Sequence, residues 1–545
     1  MTHTRQILKS ASVITVATII SRICGYLRDQ RITLLLGTSV TADCFILSFG
    51  IPNLVRRLVA DGAISASFIP VFTGYLREKS REEAWDFVGR VFWTLCLVLA
   101  GVAVLGVVFS HQVIALFTAL GQGPAHWEQA VYLNRIMFPY VFFIGLAALA
   151  AAILNSFHIF GLPAAMPILS NVTIILFSVG LVYRPIMNWA PDAYRSPAVA
   201  LSVGVILGGA MQLAVLFREL ARRGMHFRFG VSLRDPGIRT LGRLMVPGFF
   251  GIGVYQINFF VGRVFATSAR LPQGSVTSLY VADRVTELVV GTFAIAVSTV
   301  ILPMMSHQAA EGNYADMKKT FGFSTRFVSF VTIPAAVGLF LLREPIVRVL
   351  FQHGEFAAQS TMLTSRALLY YSLGLPGFAA VKLVVPLFYA LRDTATPVRV
   401  AAYAMVLNVL LNIVFLAAFS RYLSNGSPAL ASALSAYLNF SLLFLLFRRR
   451  FGRVGARAIV VSLAKISICS GAMGLGCAAM KNYVHFDSLR HVLSQAAILA
   501  AMIGLCAGVY LALAWLLRCE ELVEAATLFR RGEVAPAGAS DWVRG

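Results

Sequence analysis

Apolar runs of roughly 20 residues alternate with short polar loops from one end of the chain to the other. Each run is long enough to cross a bilayer as a helix, and about fourteen such spans are read. They cover residues 10–35, 41–72, 88–110, 131–155, 163–184, 197–218, 243–267, 276–304, 324–342, 364–390, 398–419, 428–447, 457–480 and 493–517. The period-two alternation of barrel strands is absent. Helices are then the spanning structure that satisfies every backbone group within lipid. The first run continues into polar helix without a small-residue cleavage site, so it reads as a retained first helix. The pattern predicts an all-α polytopic membrane protein.

The same pattern repeats on a larger scale. SFIP at 67–70 precedes a polar loop and an aromatic-rich helix, and TVILP at 299–303 does likewise. The segment from Asn155 to Pro163 bridges two spans, and that from Tyr389 to Pro397 bridges two more. The offsets nearly agree: 303 − 70 = 233, 397 − 163 = 234, and 366 − 135 = 231 for Arg135 and Arg366. Each repeat holds about six helices, an even number, so the two lobes share one orientation as parallel repeats about the membrane normal. The expected division is an N-lobe over 1–220, a basic linker at 221–242 and a C-lobe over 243–450. Two further helices follow at 451–519, then a polar tail at 520–545.

Composition agrees with a membrane protein. Of 545 residues, 58% are hydrophobic and only 13% charged, against roughly a quarter charged in soluble proteins. Mean hydropathy is +0.77. A formal net charge of +22 would suggest nucleic acid in a soluble chain. Here the basic residues sit in alternate loops instead. They include Arg77, Lys79 and Arg81; Arg222, Arg223, Arg228, Arg234 and Arg239; Lys318 and Lys319; Arg392 and Arg399; and Arg448, Arg449, Arg450, Arg453 and Arg457. The opposite loops, such as 37–42 and 111–130, lack Lys and Arg, and 421–427 has Arg421 alone. This bias predicts cytoplasmic termini and basic loops, some of which bind anionic lipid. The seven cysteines form no CxxC pair and fall mostly inside apolar runs, as small packing residues do.

Charges inside the spans change the picture. Residues 21–70 carry Arg22, Arg28, Asp29, Asp43, Arg56, Arg57 and Asp61. Such groups survive at membrane depth where they line a wet cavity or a binding site. Arg22 and Asp29 share a helix face, and Ser21, Gly25 and Arg28 make a second small-polar stripe. Pro52 removes a backbone hydrogen bond just before Arg56 and Arg57. The second lobe offers Asp283, Arg284 and Glu287 on one helix. One reading is a cavity where Arg28, Arg56 and Arg284 face an anionic substrate, because the arginine fork suits phosphate and stays charged. Asp29, Asp43 and Asp283 would orient those arginines or exchange partners. The competing reading is internal salt bridges and snorkelling side chains at helix ends. Between Arg56 and Arg57 the choice stays open. Asn408 and Asn412, one turn apart, read as an interhelical hydrogen-bonding pair or an ion site. Lys382 reads as reaching the cavity or snorkelling, and Tyr255, Gln256 and Asn258 as a polar turn on its wall. His158 reads as a solvated or capping loop residue. No Walker A, Gly-rich nucleotide loop, HExxH or Cys/His metal spacing occurs. Work would come from an ion gradient, the membrane potential or substrate consumption.

SRICGYLRD at 21–29, TADCFILSFGIPNLVRRLVADGAISASFIPVF at 41–72 and YVADRVTEL at 280–288 closely resemble the MurJ (MviN) lipid II flippases. These belong to the multidrug, oligosaccharidyl-lipid and polysaccharide exporter superfamily. AAILNSFHIFGLPAAMP and LFQHGEF at 350–356 fit the same pattern. The resemblance implies fourteen helices and export of undecaprenyl-diphosphate-linked peptidoglycan precursor across the bacterial inner membrane by alternating access. It implies cavity arginines at Arg22, Arg28, Arg56 and Arg284, with acids at Asp29, Asp43, Asp283 and Glu287. It also implies a lipid-tail groove at the last two helices. Lipid II, other membrane lipids and cell-wall synthesis or division proteins are the implied partners. No cofactor is required, and coupling to Na+, H+ or membrane potential stays open; a sodium site known in some members has no clear motif here. A related exporter of drugs or other polyprenyl-linked glycans fits the bottom-up features equally. A membrane transferase lacks its acidic cluster, and a scaffold leaves the buried arginines unexplained.

Overall fold

The computed structural model describes residues 2–58, 64–119, 127–225, 230, 235–453, 455–484 and 491–522. Asp61, Arg228, Arg234 and the tail beyond residue 522 lie outside them. Among the described residues there is no strand. The helices are α1 (Thr2–Leu36), α2 (Val40–Leu58), α3 (Ser65–Glu78), α4 (Arg81–Val108), α5 (Ser110–Thr118), α6 (Trp127–Met137), α7 (Tyr140–Ser156), α8 (Gly161–Phe177), α9 (Gly180–Met187) and α10 (Pro197–Arg222). They continue as α11 (Pro236–Ala266), α12 (Ser275–Val289), α13 (Ile295–Ala310), α14 (Tyr314–Phe351), α15 (Ala358–Ala390), α16 (Ala395–Ala418), α17 (Ser420–Leu423), α18 (Ser427–Phe451), α19 (Ala456–Tyr483) and α20 (Val492–Leu516).

Among the described residues, nine segments are long and apolar enough to cross a membrane. They are Glu82–Val108, Trp127–Ser156, Pro197–Arg222, Tyr314–Phe351, Ala358–Ala390, Ala395–Ala418, Ser420–Phe451, Ala456–Tyr483 and Val492–Leu516. Helices α8 and α9, bent by 71° at their junction, make a tenth if the pair is one span. The expectation of about fourteen spans also counts α1, α2 with α3, α11, and α12 with α13. These segments hold Arg22, Arg28, Asp29, Asp43, Arg56, Arg57, Arg263, Asp283, Arg284 and Glu287.

The chain packs as two compact units. The first comprises Met1–Ala282, Leu350–Ala367 and Ala401–Ala431. Its core includes an aromatic knot where Phe68, Phe72, Trp85 and Phe157 pack in rings 5.2 to 6.4 Å apart. Small residues let α10 lie close on α8: a side chain at Gly208 would press on the Ser170 backbone, and one at Gly204 on Phe177. The second unit comprises Asp283–Val349, Leu368–Val400 and Ser432–Gly545. Phe447 centres its core against Phe321 and Phe388. Helices α19 and α20 pack on each other. They are fastened to α14 by polar contacts. The Tyr510 hydroxyl donates to the Phe330 carbonyl (2.7 Å), and the buried Glu521 carboxylate accepts from Ser462 (2.7 Å) and lies 3.5 Å from Arg326.

Two turns at corresponding places in the chain have the same geometry. The N–H of Phe157 bonds to the Ile153 and Leu154 carbonyls, that of His158 to Asn155, and that of Ile159 to Leu154. Leu391, Arg392 and Asp393 repeat this on Leu387, Phe388, Tyr389 and Phe388. Every atom pair is displaced by 391 − 157 = 234 residues, the spacing of Pro163 and Pro397. His158 and Arg392 adopt left-handed φ values of 60° and 58°. The backbone, not the imidazole, thus defines what position 158 does. In the second turn Asp393 caps α16, accepting the N–H and hydroxyl of Thr396. Burial pulls its carboxyl up. The Thr396 hydrogen bonds and the charges of Arg450 and Arg399 outweigh burial and hold it below the usual carboxylate range. The cap is therefore complete above that range and is lost as pH falls below it.

A left-handed L-residue costs about 1–2 kcal/mol, a strain glycine does not carry. His158→Gly and Arg392→Gly should each leave stability unchanged or raise it, and His158→Val should lower it. Thermal unfolding of the purified protein in detergent checks both signs.

Candidate functional site

Helix α1 is gripped on three sides within the first unit. Tyr26 and Gln30, one turn apart, donate to the Leu350 carbonyl at 3.0 and 3.2 Å. Arg31 donates from Nε and Nη2 to the hydroxyl and carbonyl of Ser178, both at 3.0 Å, and so caps the end of α8. Between these contacts lies Asp29, 4% exposed. Its Oδ1 accepts from Arg28 Nε (2.9 Å) and Nη2 (2.6 Å) and from the Tyr280 hydroxyl (2.8 Å). Arg28 Nη1 donates to Asn171 Oδ1 (3.0 Å), and Asn171 Nδ2 donates to the Ser21 carbonyl (3.2 Å). The Asn171 amide thus uses both ends to hold Arg28 to one turn of its own helix. Gly25 faces the same amide.

Arg263 was absent from the sequence reading and belongs to this cluster. It is 9% exposed, and its guanidinium lies 5.1 Å from the Tyr280 ring centre and 6.0 Å from that of Phe260. A signal for it existed: 263 − 29 = 234, so Arg263 occupies the repeat position of Asp29. Asn171 and Tyr280 were missed as ligands because a lone amide or phenol in an apolar run looks like packing.

Asp43 does a different job. It projects from α2, and its carboxylate accepts the N–H of Gly274 (2.9 Å) and the N–H and hydroxyl of Thr277 (2.8 and 2.7 Å). These are orphan donors at the start of α12, so Asp43 is a helix N-cap supplied by another helix. Gly274 has φ of 83°, and a side chain there would run into the Thr38 carbonyl. The turns at 37–39 and 272–275 interlock through backbone that tolerates no added atom.

The remaining candidates divide as follows. Arg22 is exposed. Arg56 is half-buried and donates from Nε to Asn53 Oδ1 (2.8 Å), while Arg57 reaches Gln256 Oε1 on α11 (3.1 Å). Each has a polar partner, and both are held within the first unit. Asn258 accepts from Asn408 (2.9 Å), which accepts from Asn412 (2.8 Å), so the asparagine pair bonds between helices. In the second unit Arg284 Nη1 pairs with Glu287 Oε2 at 2.6 Å. A π-helical turn over Val290–Ala294 follows. Such turns widen a helix locally and are frequent at functional sites. The Tyr255 side chain lies outside the described side chains. Among the described residues no group of three or more His, Cys, Asp or Glu is placed to hold a metal ion.

Buried donors left without their acceptor cost about 1–3 kcal/mol, and the N–H of Gly274 and the N–H and hydroxyl of Thr277 depend on the Asp43 carboxylate. Asp43→Ala should therefore lower the thermal midpoint, and Gly274→Ala should do so independently because its added carbon meets backbone. Unchanged midpoints in both variants would contradict the interlock.

The chain matches the family model described as lipid II flippase MurJ over residues 32–496. It is 37% identical over 452 residues to the probable lipid II flippase MurJ of Vibrio cholerae serotype O1, covering 82% of this chain and 83% of that protein. It is 30% identical over 508 residues to the lipid II flippase MurJ of Burkholderia cenocepacia, covering 92% and 95%. A solved lipid II flippase MurJ in an inward closed conformation aligns with a TM-score of 0.75 at 25% identity, over 92% of this chain and 98% of that one. An inward-facing multidrug resistance MATE family transporter of the MOP superfamily aligns at 0.64 and 14% identity, over 82% and 98%, which speaks to fold alone.

Proposed function

The chain belongs to the MurJ family of lipid II flippases, and we propose that it moves undecaprenyl-diphosphate-linked peptidoglycan precursor between leaflets of the inner membrane by alternating access. It is an integral inner membrane transporter and not a catalytic enzyme. Lipid II is its substrate.

The observation that carries the site reading is the Arg28 cluster. Arg28 is half-buried, its side chain 13% exposed, and it is oriented by one acid, one amide and one phenol rather than by a single ion pair. An arginine held this way presents a planar fork to an anion at little further entropic cost. On this reading Arg22, Arg28, Arg56 and Arg284 take the diphosphate. Asp29, Asp283 and Glu287 are exchange partners, and Asp43 closes the α2–α12 junction. The repeat, with its matched turns at His158 and Arg392, supports two lobes over 1–220 and 243–450 joined by the basic linker 221–242. The loop charge bias supports cytoplasmic termini. The exposed apolar faces of α19 and α20, including Ile468, Leu475 and Leu505, suit a polyprenyl tail. Cell-wall synthesis or division proteins are the partners such a cargo requires downstream.

The test uses a strain depleted of its own flippase. Wild-type chain should restore exposure of lipid II to a periplasmic probe. Arg28→Ala, Arg56→Ala and Arg284→Ala should each cut that exposure strongly at equal membrane abundance. Full rescue by all three would refute the arginine site.

A further inference from the structure

We infer that Tyr280, backed by Arg263, is a positioning residue that frees Arg28 to bind the substrate diphosphate. This rests on the reading of Arg28 as a diphosphate ligand. The Tyr280 side chain is buried, and its hydroxyl makes two contacts of opposite sense. It donates to Asp29 Oδ1 at 2.8 Å and accepts from Arg28 Nη2 at 3.3 Å. A phenol has one proton. That proton is committed to the carboxylate, so the oxygen lone pair faces the guanidinium.

The consequence appears when Arg28 turns to an incoming phosphate. Asp29 then loses two of the three donors shown on Oδ1 while it stays buried, and a buried carboxylate stripped of donors is costly. Tyr280 remains. The Arg263 guanidinium packs over its ring, 5.1 Å from the ring centre, and holds the phenol in place. The Tyr280–Arg263 pair therefore holds Asp29 in the state where Arg28 is engaged elsewhere. With phenylalanine at 280, Asp29 depends wholly on Arg28 for these contacts and competes harder with the substrate.

The prediction is a specific coupling. Full-length protein in nanodiscs is titrated with lipid II, and Kd is measured for wild type, Tyr280→Phe, Arg28→Ala and the double variant. Thermal unfolding is followed in parallel. Tyr280→Phe should weaken binding by about tenfold, as loss of one hydrogen bond to a charged group would, with little change in the thermal midpoint. In the Arg28→Ala background the same substitution should have no further effect. Arg28→Lys supplies the background if the alanine variant binds too weakly to read. Arg263→Gln should act in the same direction as Tyr280→Phe, and Arg263→Lys should restore most of the affinity. Equal loss with and without Arg28 would show a merely structural role and overturn the inference, as would wild-type affinity in Tyr280→Phe. Wild-type affinity in Arg28→Ala would instead remove the diphosphate reading beneath it.

Discussion

A carboxylate cannot stay ionised inside a membrane protein unless donors surround it, and the arrangement around Asp29 follows from that constraint. Three donors converge on Oδ1 from two residues. One of those residues is the adjacent Arg28, whose guanidinium has to curl back along its own helix to make the contact. Asn171 holds it there from α8, and Tyr280 from α12. The helix itself has no freedom to help. Tyr26, Gln30 and Arg31 fix α1 to the Leu350 carbonyl and to the end of α8.

Asp43 obeys the same constraint with a different solution. Its donors are two backbone N–H groups and a hydroxyl, all neutral, from Gly274 just before α12 and Thr277 in its first turn. An ion pair that opens leaves a second charge behind, whereas a cap on neutral donors leaves groups that water can satisfy. The two acids thus divide the work in the proposed cycle. On the proposed reading the Asp29 cluster exchanges anions, while the Asp43 cap fixes the junction of α2 with the start of α12.

Much of this was written in the sequence, and what was not has a physical reason. Charges in apolar runs marked α1, α2 and α12, because a charge in that setting is conspicuous. The repeat was visible in prolines, and it reached further than prolines: the same offset aligns the left-handed residues His158 and Arg392 and brings Arg263 onto Asp29. Arg263 stands alone in its apolar run, so only the repeat spacing, and no cluster of charges, marks it. The partners of Asp43 could not have been read at all. Backbone N–H groups occur at every position but proline, so a carboxylate that caps another helix leaves no mark at its target beyond a glycine and a threonine. Arg56 and Arg57 were inseparable by pattern, and they part only in space, one toward Asn53 in its own helix and one toward Gln256.

The acid beside the arginine also bears on turnover. A cavity of bare arginines would bind a diphosphate tightly and release it slowly, since each charged hydrogen bond adds roughly 1.5–3 kcal/mol. Here Asp29 already occupies the fork of Arg28, so at the proposed site substrate binding would be the replacement of one anion by another. Replacement spares the site an unpaired buried cation before binding and after release. It also sets an upper limit on affinity, because the carboxylate returns as the phosphate leaves. For a carrier whose cargo must depart on every cycle, an internal competitor at the proposed binding arginine would favour release.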